Sequence, residues 1–295
     1  MENLSSCPIC GTESFTTYLI GTDLFLTKEE FKIVSCSNCG FRFVNPRPDK
    51  KEIGKYYESS NYISHEVKRT LIDYLYKEVR KLSTYRKYKI INRFSGKRKL
   101  LDIGCGTGEF LKFCKEKGFE VKGIEPGEKP RNFAQSKYDL EVYDETELKN
   151  INDPYFDIIT MWHVLEHVHS LQERMQKIQD ILKSDGTLII AVPNSNSWDA
   201  RSYGKYWAAY DLPRHLYHFT QDTIKILARM NSLTLIETIP MKLDAFYISL
   251  LSEEYTNGRR NYYRAIMNGI RSNNFASKNN MDYSSLIFVF KKKIG

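Results

Sequence analysis

Leu100, Leu101 and Ile103 form a short apolar run that ends in closely spaced glycines, and Tyr155 to Trp162 and Thr187 to Val192 repeat that kind of run. Continuous apolar stretches of this length, bounded by turn residues, mark strands buried on both faces of a parallel sheet. Residues 120–125, 140–143, 233–239 and 286–290 read as four further strands, which makes seven. Between them the apolar positions step by three and four, predicting helices over 109–117, 127–138, 170–182 and 220–230. Lys183-Ser-Asp-Gly186 reads as an exit turn and Thr220 as a helix cap. Strands alternating with helices predict an α/β fold with helices on both faces of one sheet. Upstream, residues 15–20, 31–34 and 41–44 read as short strands, closed by Asn45-Pro-Arg-Pro48. Then comes a tyrosine-rich segment with Tyr56, Tyr57 and Tyr62. Val67, Leu71, Leu75, Val79 and Leu82 follow at helical steps, continued by Ile90, Ile91 and Phe94, so a long amphipathic helix is predicted.

Two stretches break the alternation. Residues 194–219 are too long for an ordinary connection and carry Trp198, Tyr203, Tyr206, Trp207 and Tyr210, which predicts an aromatic lid. Residues 243–282 end in a polar, Asn- and Arg-rich tract, which predicts a mobile insertion before the last strand. The resulting organisation is 1–48, a small ribbon; 49–97, a helical linker; and 98–295, the α/β domain.

The net charge of +8 would suggest an acidic partner, but its placement changes that picture. Residues 66–99 alone hold twelve Lys and Arg against three acidic residues, a local excess of nine, so the remainder is close to neutral. A solvated helix face accounts for such a segment; a nucleic-acid surface is the competing reading. No run approaches the ~20 apolar residues of a membrane span, and MENLSSC lacks a basic region followed by an apolar core, so a cytoplasmic protein is expected.

Cys7-Pro-Ile-Cys10-Gly and Cys36-Ser-Asn-Cys39-Gly are two matched knuckles with 25 residues between them. That is the spacing of a tetrahedral thiolate site, with Gly11 and Gly40 relieving the turns, and zinc is the expected metal. Four thiolates leave no open position, so the expected role is structural; disulfides and redox pairs fit less well with two matched pairs and no export signal.

The glycines after Ile103 are Gly104, Gly106 and Gly108, leading into a helix whose free amides face the turn. A dinucleotide turn requires glycine where Glu109 stands, and Asp102 with Glu109 would repel a pyrophosphate, so the expected guest is cationic. The motif resembles that of class I S-adenosylmethionine-dependent methyltransferases, an acidic residue followed by Gly-x-Gly-x-Gly. The resemblance implies a Rossmann-like seven-stranded sheet in which Asp102, Gly104, Gly106 and Gly108 hold the methionine part of the cofactor. It further implies that Glu125, at the end of the second strand, takes the ribose hydroxyls. By the same resemblance Asp144 and Glu145, in an acidic loop, lie near the adenine, and Trp162 and His163 contact the cofactor. A tight turn with no ligand is the plain alternative.

Five of the six histidines fall in HVLEHVH, with His163, Glu166, His167 and His169, and in DLPRHLYH, with Asp211, Arg214, His215 and His218. Both windows follow strands, where ligands of open α/β sheets sit, and imidazole suits proton transfer near neutral pH. His215 is the expected base, with His163 or His167 as second choices, Asp211 orienting the imidazole and Arg214 holding an anionic group of the acceptor. Backbone hydrogen bonding at a helix start is the equal alternative for Glu166 and His167.

The ribbon, the glycine motif, Leu-Glu-His-Val and Pro-Arg-His together resemble bacterial methyltransferases of sugar, polysaccharide and natural-product pathways, including zinc-containing sugar C-methyltransferases. A small-molecule acceptor, foremost a sugar nucleotide, is implied. The chain lacks the doubled histidine of the sugar C-methyltransferase site and ends before their extra C-terminal domain, which leaves C-, O- and N-methylation open. The alternatives are an RNA methyltransferase, with Tyr74, Tyr76, Tyr85 and Tyr88 among the basic residues as a docking face, and a non-catalytic zinc-ribbon interaction protein.

Overall fold

The computed structural model describes residues 1–57, 71–94, 96, 98–151 and 153–292. Tyr62 and Val67 lie outside these residues, as do the side chains of Leu71, Tyr74, Leu75, Tyr76 and Val79. The chain divides into two compact units. One comprises Met1–Tyr62, His163–Arg174 and Ile190–Val289; the other comprises Ile63–Trp162, Met175–Ile189 and Phe290–Gly295. The units therefore do not follow the linear boundaries drawn from sequence.

The first unit holds a four-stranded sheet of β1 (Phe15–Thr22), β2 (Glu30–Cys36), β3 (Arg42–Val44) and β9 (Tyr217–His218), in that order. β9 comes from far along the chain and pairs antiparallel with β3, Phe43 opposite Tyr217 and Arg42 opposite His218. Phe41, Phe43, Tyr217 and Phe219 are all buried, and Phe41 lies 5.3 to 6.0 Å from the other three rings. This aromatic cluster ties the ribbon to the second histidine window.

The aromatic residues of 194–219 form no lid. Short helical turns at Trp198–Tyr203, Gly204–Tyr206 and Ala208–Tyr210 bury Trp207 and Tyr210 against Phe31, Ile33, Val44, Tyr56 and Ile248. A buried Trp207 stabilises by about 3 kcal/mol through area alone, which a solvent-facing loop would forgo. Its indole Nε1 donates to the buried Asp199 at 2.8 Å, which also accepts from Ser272 and Ser284. The predicted mobile insertion is likewise ordered, as helices Asp244–Asn257 and Tyr262–Lys278. A Cβ at Gly269 would stand 2.5 Å from Phe246, so glycine permits this close pairing. Polarity misled here because both helices bury small residues, Ala245, Ser249 and Ser252 on one and Ala265, Ser272 and Ala276 on the other.

A seven-stranded sheet has the order β10 (Leu233–Pro240), β11 (Ser285–Lys292), β8 (Leu182–Pro193), β7 (Phe156–Trp162), β4 (Lys99–Ile103), β5 (Glu120–Ile124), β6 (Val142–Tyr143). β4 is parallel to both neighbours, with Asp102 opposite Gly123 on one side and Thr160 on the other. All seven residues of β7 are buried, as a strand covered on both faces requires. Lys183 to Gly186 belongs to β8, not to an exit turn: the helix Leu171–Ile181 passes directly into the strand. Within the second unit the helix Leu71–Asn92 lies against Glu109–Glu116, with Tyr88 edge-on to Phe113 at 5.3 Å and to Phe119 at 6.3 Å. Phe94 lies beyond its end in a turn. Tyr85 and Tyr88 thus contact apolar rings, which accounts for them without a nucleic acid.

Candidate active site

Asp102 stands near the end of β4 and is almost fully buried, accepting a hydrogen bond from Thr160 Oγ1 at 2.6 Å. Burial pushes its carboxyl up to about 7; the Thr160 hydroxyl and the Lys87 charge work against that rise, and Glu125 adds to it. Gly106 and Gly108 both have the left-handed backbone that a side chain strains, with φ of 55° and 81°. A Cβ on Gly108 would strike Leu140 at 2.8 Å and Ala134 at 2.9 Å, whereas nothing lies within 4 Å of one on Gly106. Gly108 therefore serves packing, whereas the space around Gly106 is open.

Glu125 faces this turn, with Oε2 accepting from Gly106 N and Oε1 from Gly127 N, each at 2.8 Å. Two carboxylates around an open glycine turn suit a cationic cofactor. Asp144 is not part of a loop: it caps the helix Glu145–Asn150, accepting from Thr146 N at 2.7 Å, with Glu145 in the first turn. Trp162 ends β7, edge-on to Phe110 at 5.7 Å with the Lys87 ammonium 4.8 Å from its ring.

In the other unit the structure brings His163, Glu166, His167, Asp211, Arg214 and His215 into one neighbourhood. His163 has φ of 57°, a conformation that costs a non-glycine residue about 1 to 3 kcal/mol and clusters at functional sites. Its ring lies between two carboxylates, Nε2 at 3.1 Å from Asp244 and Nδ1 at 3.4 Å from Glu166. Burial opposes its charge, but the two carboxylates outweigh that and raise its pKa to about 10. A group that keeps its proton is no base at neutral pH. Glu166 is fully buried, and neither oxygen has a hydrogen bond. Burial disfavours its charge, yet His163 and the other imidazoles hold its pKa below the ordinary carboxylate range.

His167 and His215 meet edge to face with centroids 4.6 Å apart. His167 Nδ1 lies 2.9 Å from the Arg214 carbonyl and 3.0 Å from the Tyr57 hydroxyl, and His215 Nδ1 lies 2.8 Å from the Ala209 carbonyl. Burial, and next the His215 charge, push the His167 pKa down to about 4, so this ring is neutral. The Ala209 carbonyl therefore orients His215; Asp211, expected in that role, is 3.9 Å from Nε2 and bonds to Arg214 instead.

Arg214 is itself committed. It pairs with Asp211 at 2.7 Å and Asp23 at 3.3 Å, donates to the Tyr56 carbonyl at 2.9 Å and lies over the Phe25 ring. That leaves no fork for an acceptor's anion, and the expectation is corrected accordingly. His218 is buried, and burial takes its pKa well below the ordinary value. A cleft lined by Phe25, Lys205, Trp207, Asp211, Arg214 and Tyr255 shares Asp211 with the cluster. Asp23, Tyr57 and Asp244 were missed from sequence. Each is a single polar residue outside any motif, 81 to 191 positions from its partner here if counted along the chain.

The four cysteines also converge. Cys7 Sγ lies 3.6 Å from Cys39 Sγ and Cys10 Sγ 3.5 Å from Cys36 Sγ, with all four sulfurs within 4.8 Å of one another. All four are free thiols, and metal–sulfur bonds of about 2.3 Å place sulfurs at such separations in a tetrahedral site. The donor set fits a structural ion.

A family model described as "Methyltransferase domain" matches residues 67–238. Ubiquinone biosynthesis O-methyltransferases are among the curated relatives. That of Yersinia enterocolitica is 24% identical over 57% of this chain and 72% of its own length, and that of Acinetobacter baylyi 28% identical over 34% and 45%. The chain thus spans less than half of the latter enzyme. Among solved structures, a SAM-dependent methyltransferase from Archaeoglobus fulgidus aligns with a TM-score of 0.50 and 24% identity over 74% of this chain and 99% of that one. The phosphoethanolamine N-methyltransferase 2 of Haemonchus contortus, solved with S-adenosylmethionine, aligns at 0.50 and 16% identity over 71% and 53%. The structural likenesses carry the fold, and the family model carries the assignment. With its seven-stranded sheet, acidic glycine turn and this match over more than half its length, the chain belongs to the methyltransferase-domain family.

Proposed function

We propose that the enzyme methylates a small-molecule acceptor, foremost a sugar nucleotide or a related intermediate of polysaccharide or natural-product assembly, at a group received by Glu166, His167 and His215. The observation that carries this reading is the buried Glu166 carboxylate without hydrogen bonds, beside two imidazoles whose ring orientation is fixed. The relatives' naming as O-methyltransferases favours a hydroxyl acceptor.

The cofactor, when bound, supplies a methyl group already activated as a sulfonium. The tasks left to the protein are placement, exclusion of water and handling of the acceptor's proton. Asp102 and Glu125 hold the cationic cofactor through charge, and Gly106 lets it approach the backbone. At the cluster, His163 remains protonated between Asp244 and Glu166 and fixes Glu166, while His167 and His215, oriented by the Arg214 and Ala209 carbonyls, are the groups that deal with the acceptor's proton. Arg214, paired with Asp23 and Asp211, holds the loop that carries His215. Zinc in the Cys7, Cys10, Cys36, Cys39 cluster would stabilise the ribbon. No helix among the described residues is long and apolar enough to cross a membrane.

The test is calorimetric titration with S-adenosylmethionine and its demethylated product, followed by a turnover screen of sugar nucleotides and of RNA. Binding with turnover of a sugar nucleotide supports the reading; turnover of RNA alone would replace it. Absence of binding by folded protein would refute both. His215→Ala should retain cofactor binding and lose about 10²-fold or more in turnover, the usual contribution of proton-transfer catalysis.

A further inference from the structure

We infer that Glu166, His167 and His215 form a site for one divalent transition-metal ion, distinct from the cysteine cluster. One donor atom from each residue lies within 4.8 Å of the other two, a separation compatible with ligands sharing an ion at about 2.0 to 2.2 Å.

The state of the donors is the stronger argument. A carbonyl oxygen only accepts, so the contacts to the Arg214 and Ala209 carbonyls place the proton of each ring on Nδ1. An imidazole oriented in this way presents Nε2 as its acceptor atom. Histidines that bind metals are commonly fixed in this way, the second ring nitrogen donating to a backbone carbonyl. Close to both rings stands Glu166, wholly buried, with no hydrogen bond to either oxygen. His163 approaches one of them, Oε1, at 3.4 Å, which is long for a hydrogen bond. Two imidazoles and a buried carboxylate this close together make a donor set that one ion can share, with His163 offsetting only part of the carboxylate's demand for a partner.

Two imidazoles and one carboxylate suit zinc, iron(II), cobalt(II) or nickel(II) better than magnesium or calcium, and three protein ligands leave positions open, as in catalytic sites. This inference rests on the proposed methyl transfer for its consequence. A hydroxyl acceptor occupying an open position would be acidified by the ion and lose its proton to solvent, and His215 would then act through the metal as a positioning residue.

The probe is cobalt(II), added to the full chain after its cysteine cluster has been filled with zinc. About one further equivalent should bind, with weak visible d–d absorption and no sulfur charge-transfer band, and it should raise the melting temperature. His215→Ala and Glu166→Gln, each checked for a cooperative melt, should lose that uptake at least tenfold. If a variant does not fold, His167→Asn and the cobalt-induced melting shift of the wild type keep the test decisive. No further uptake by the wild type, or equal uptake by the folded variants, overturns the site. Titrating the same samples with S-adenosylmethionine separates the two readings: cofactor binding without cobalt uptake removes the metal site alone, and cobalt uptake without cofactor binding removes the methyl-transfer reading alone.

Discussion

Replacing Asp102 by asparagine removes a buried charge that folding tolerates poorly and the cofactor is expected to need. The carboxyl is 2% exposed, has one hydroxyl donor, and is raised from 3.8 to about 7 chiefly by burial. A shift of about three units corresponds to about 4 kcal/mol. Because the folded pKa lies above the unfolded one, the folded state binds more protons between these values, so this group makes stability fall as pH rises from about 4 to about 7 and adds no slope above. A cation placed against the carboxylate favours its ionised form. Affinity for S-adenosylmethionine should therefore weaken about tenfold for each pH unit below 7 and level off above it. Calorimetric titrations and urea melts from about pH 5.5 to about pH 8, on the wild type and on Asp102→Asn, read both effects. The variant should bind more weakly and lose the slope from both curves. A wild-type affinity that is flat over this range, or a slope retained by the asparagine variant, would refute the reasoning.

Gly108→Ala places a Cβ at 2.8 Å from Leu140 on a backbone with φ of 81°, and the combined strain and overpacking should cost about 2 to 4 kcal/mol in urea unfolding. Gly106→Ala, with open space around its Cβ, should cost only the backbone strain of about 1 to 2 kcal/mol while weakening cofactor binding. Stripping the metal from the cysteine cluster with a strong chelator should lower the melting temperature, followed by differential scanning calorimetry, and Cys36→Ser should reproduce that loss. Arg214→Met leaves Asp23 buried without its charge partner and should destabilise by about 3 to 5 kcal/mol. Its effect should appear in the melt and not as a selective rise in KM, the outcome that an anion-binding role would give.

The seven strands and the helices Glu109–Glu116, Glu128–Tyr138, Leu171–Ile181 and Gln221–Met230 could be read from sequence because each is a local pattern: apolar runs of strand length, three- and four-residue steps, and a capping Thr220 before the last of these helices. The glycine turn was readable for the same reason, since left-handed backbone at Gly104, Gly106 and Gly108 is dictated residue by residue. The two cysteine knuckles carry their geometry in their spacing. The aromatic stretch at 194–219 could not be placed this way, because a lid and a core need the same Trp and Tyr residues. What buries Trp207 is the ribbon and the helix Asp244–Asn257, both distant in sequence. The two histidine windows come together in the fold, but the charge state and partners of each ring could not be read from them. His163 holds its proton because Asp244, 81 positions away, stands opposite Glu166, and Arg214 is unavailable to an acceptor because Asp23, 191 positions away, already pairs with it. Sequence alone determined the fold, the glycine turn and the thiolate cluster, all set by short-range backbone and side-chain preferences. Only the tertiary structure decided that His163 is charged, which carbonyls orient the other two rings and which cation is already paired, because charge and hydrogen bonding depend on neighbours that the chain brings together only when folded.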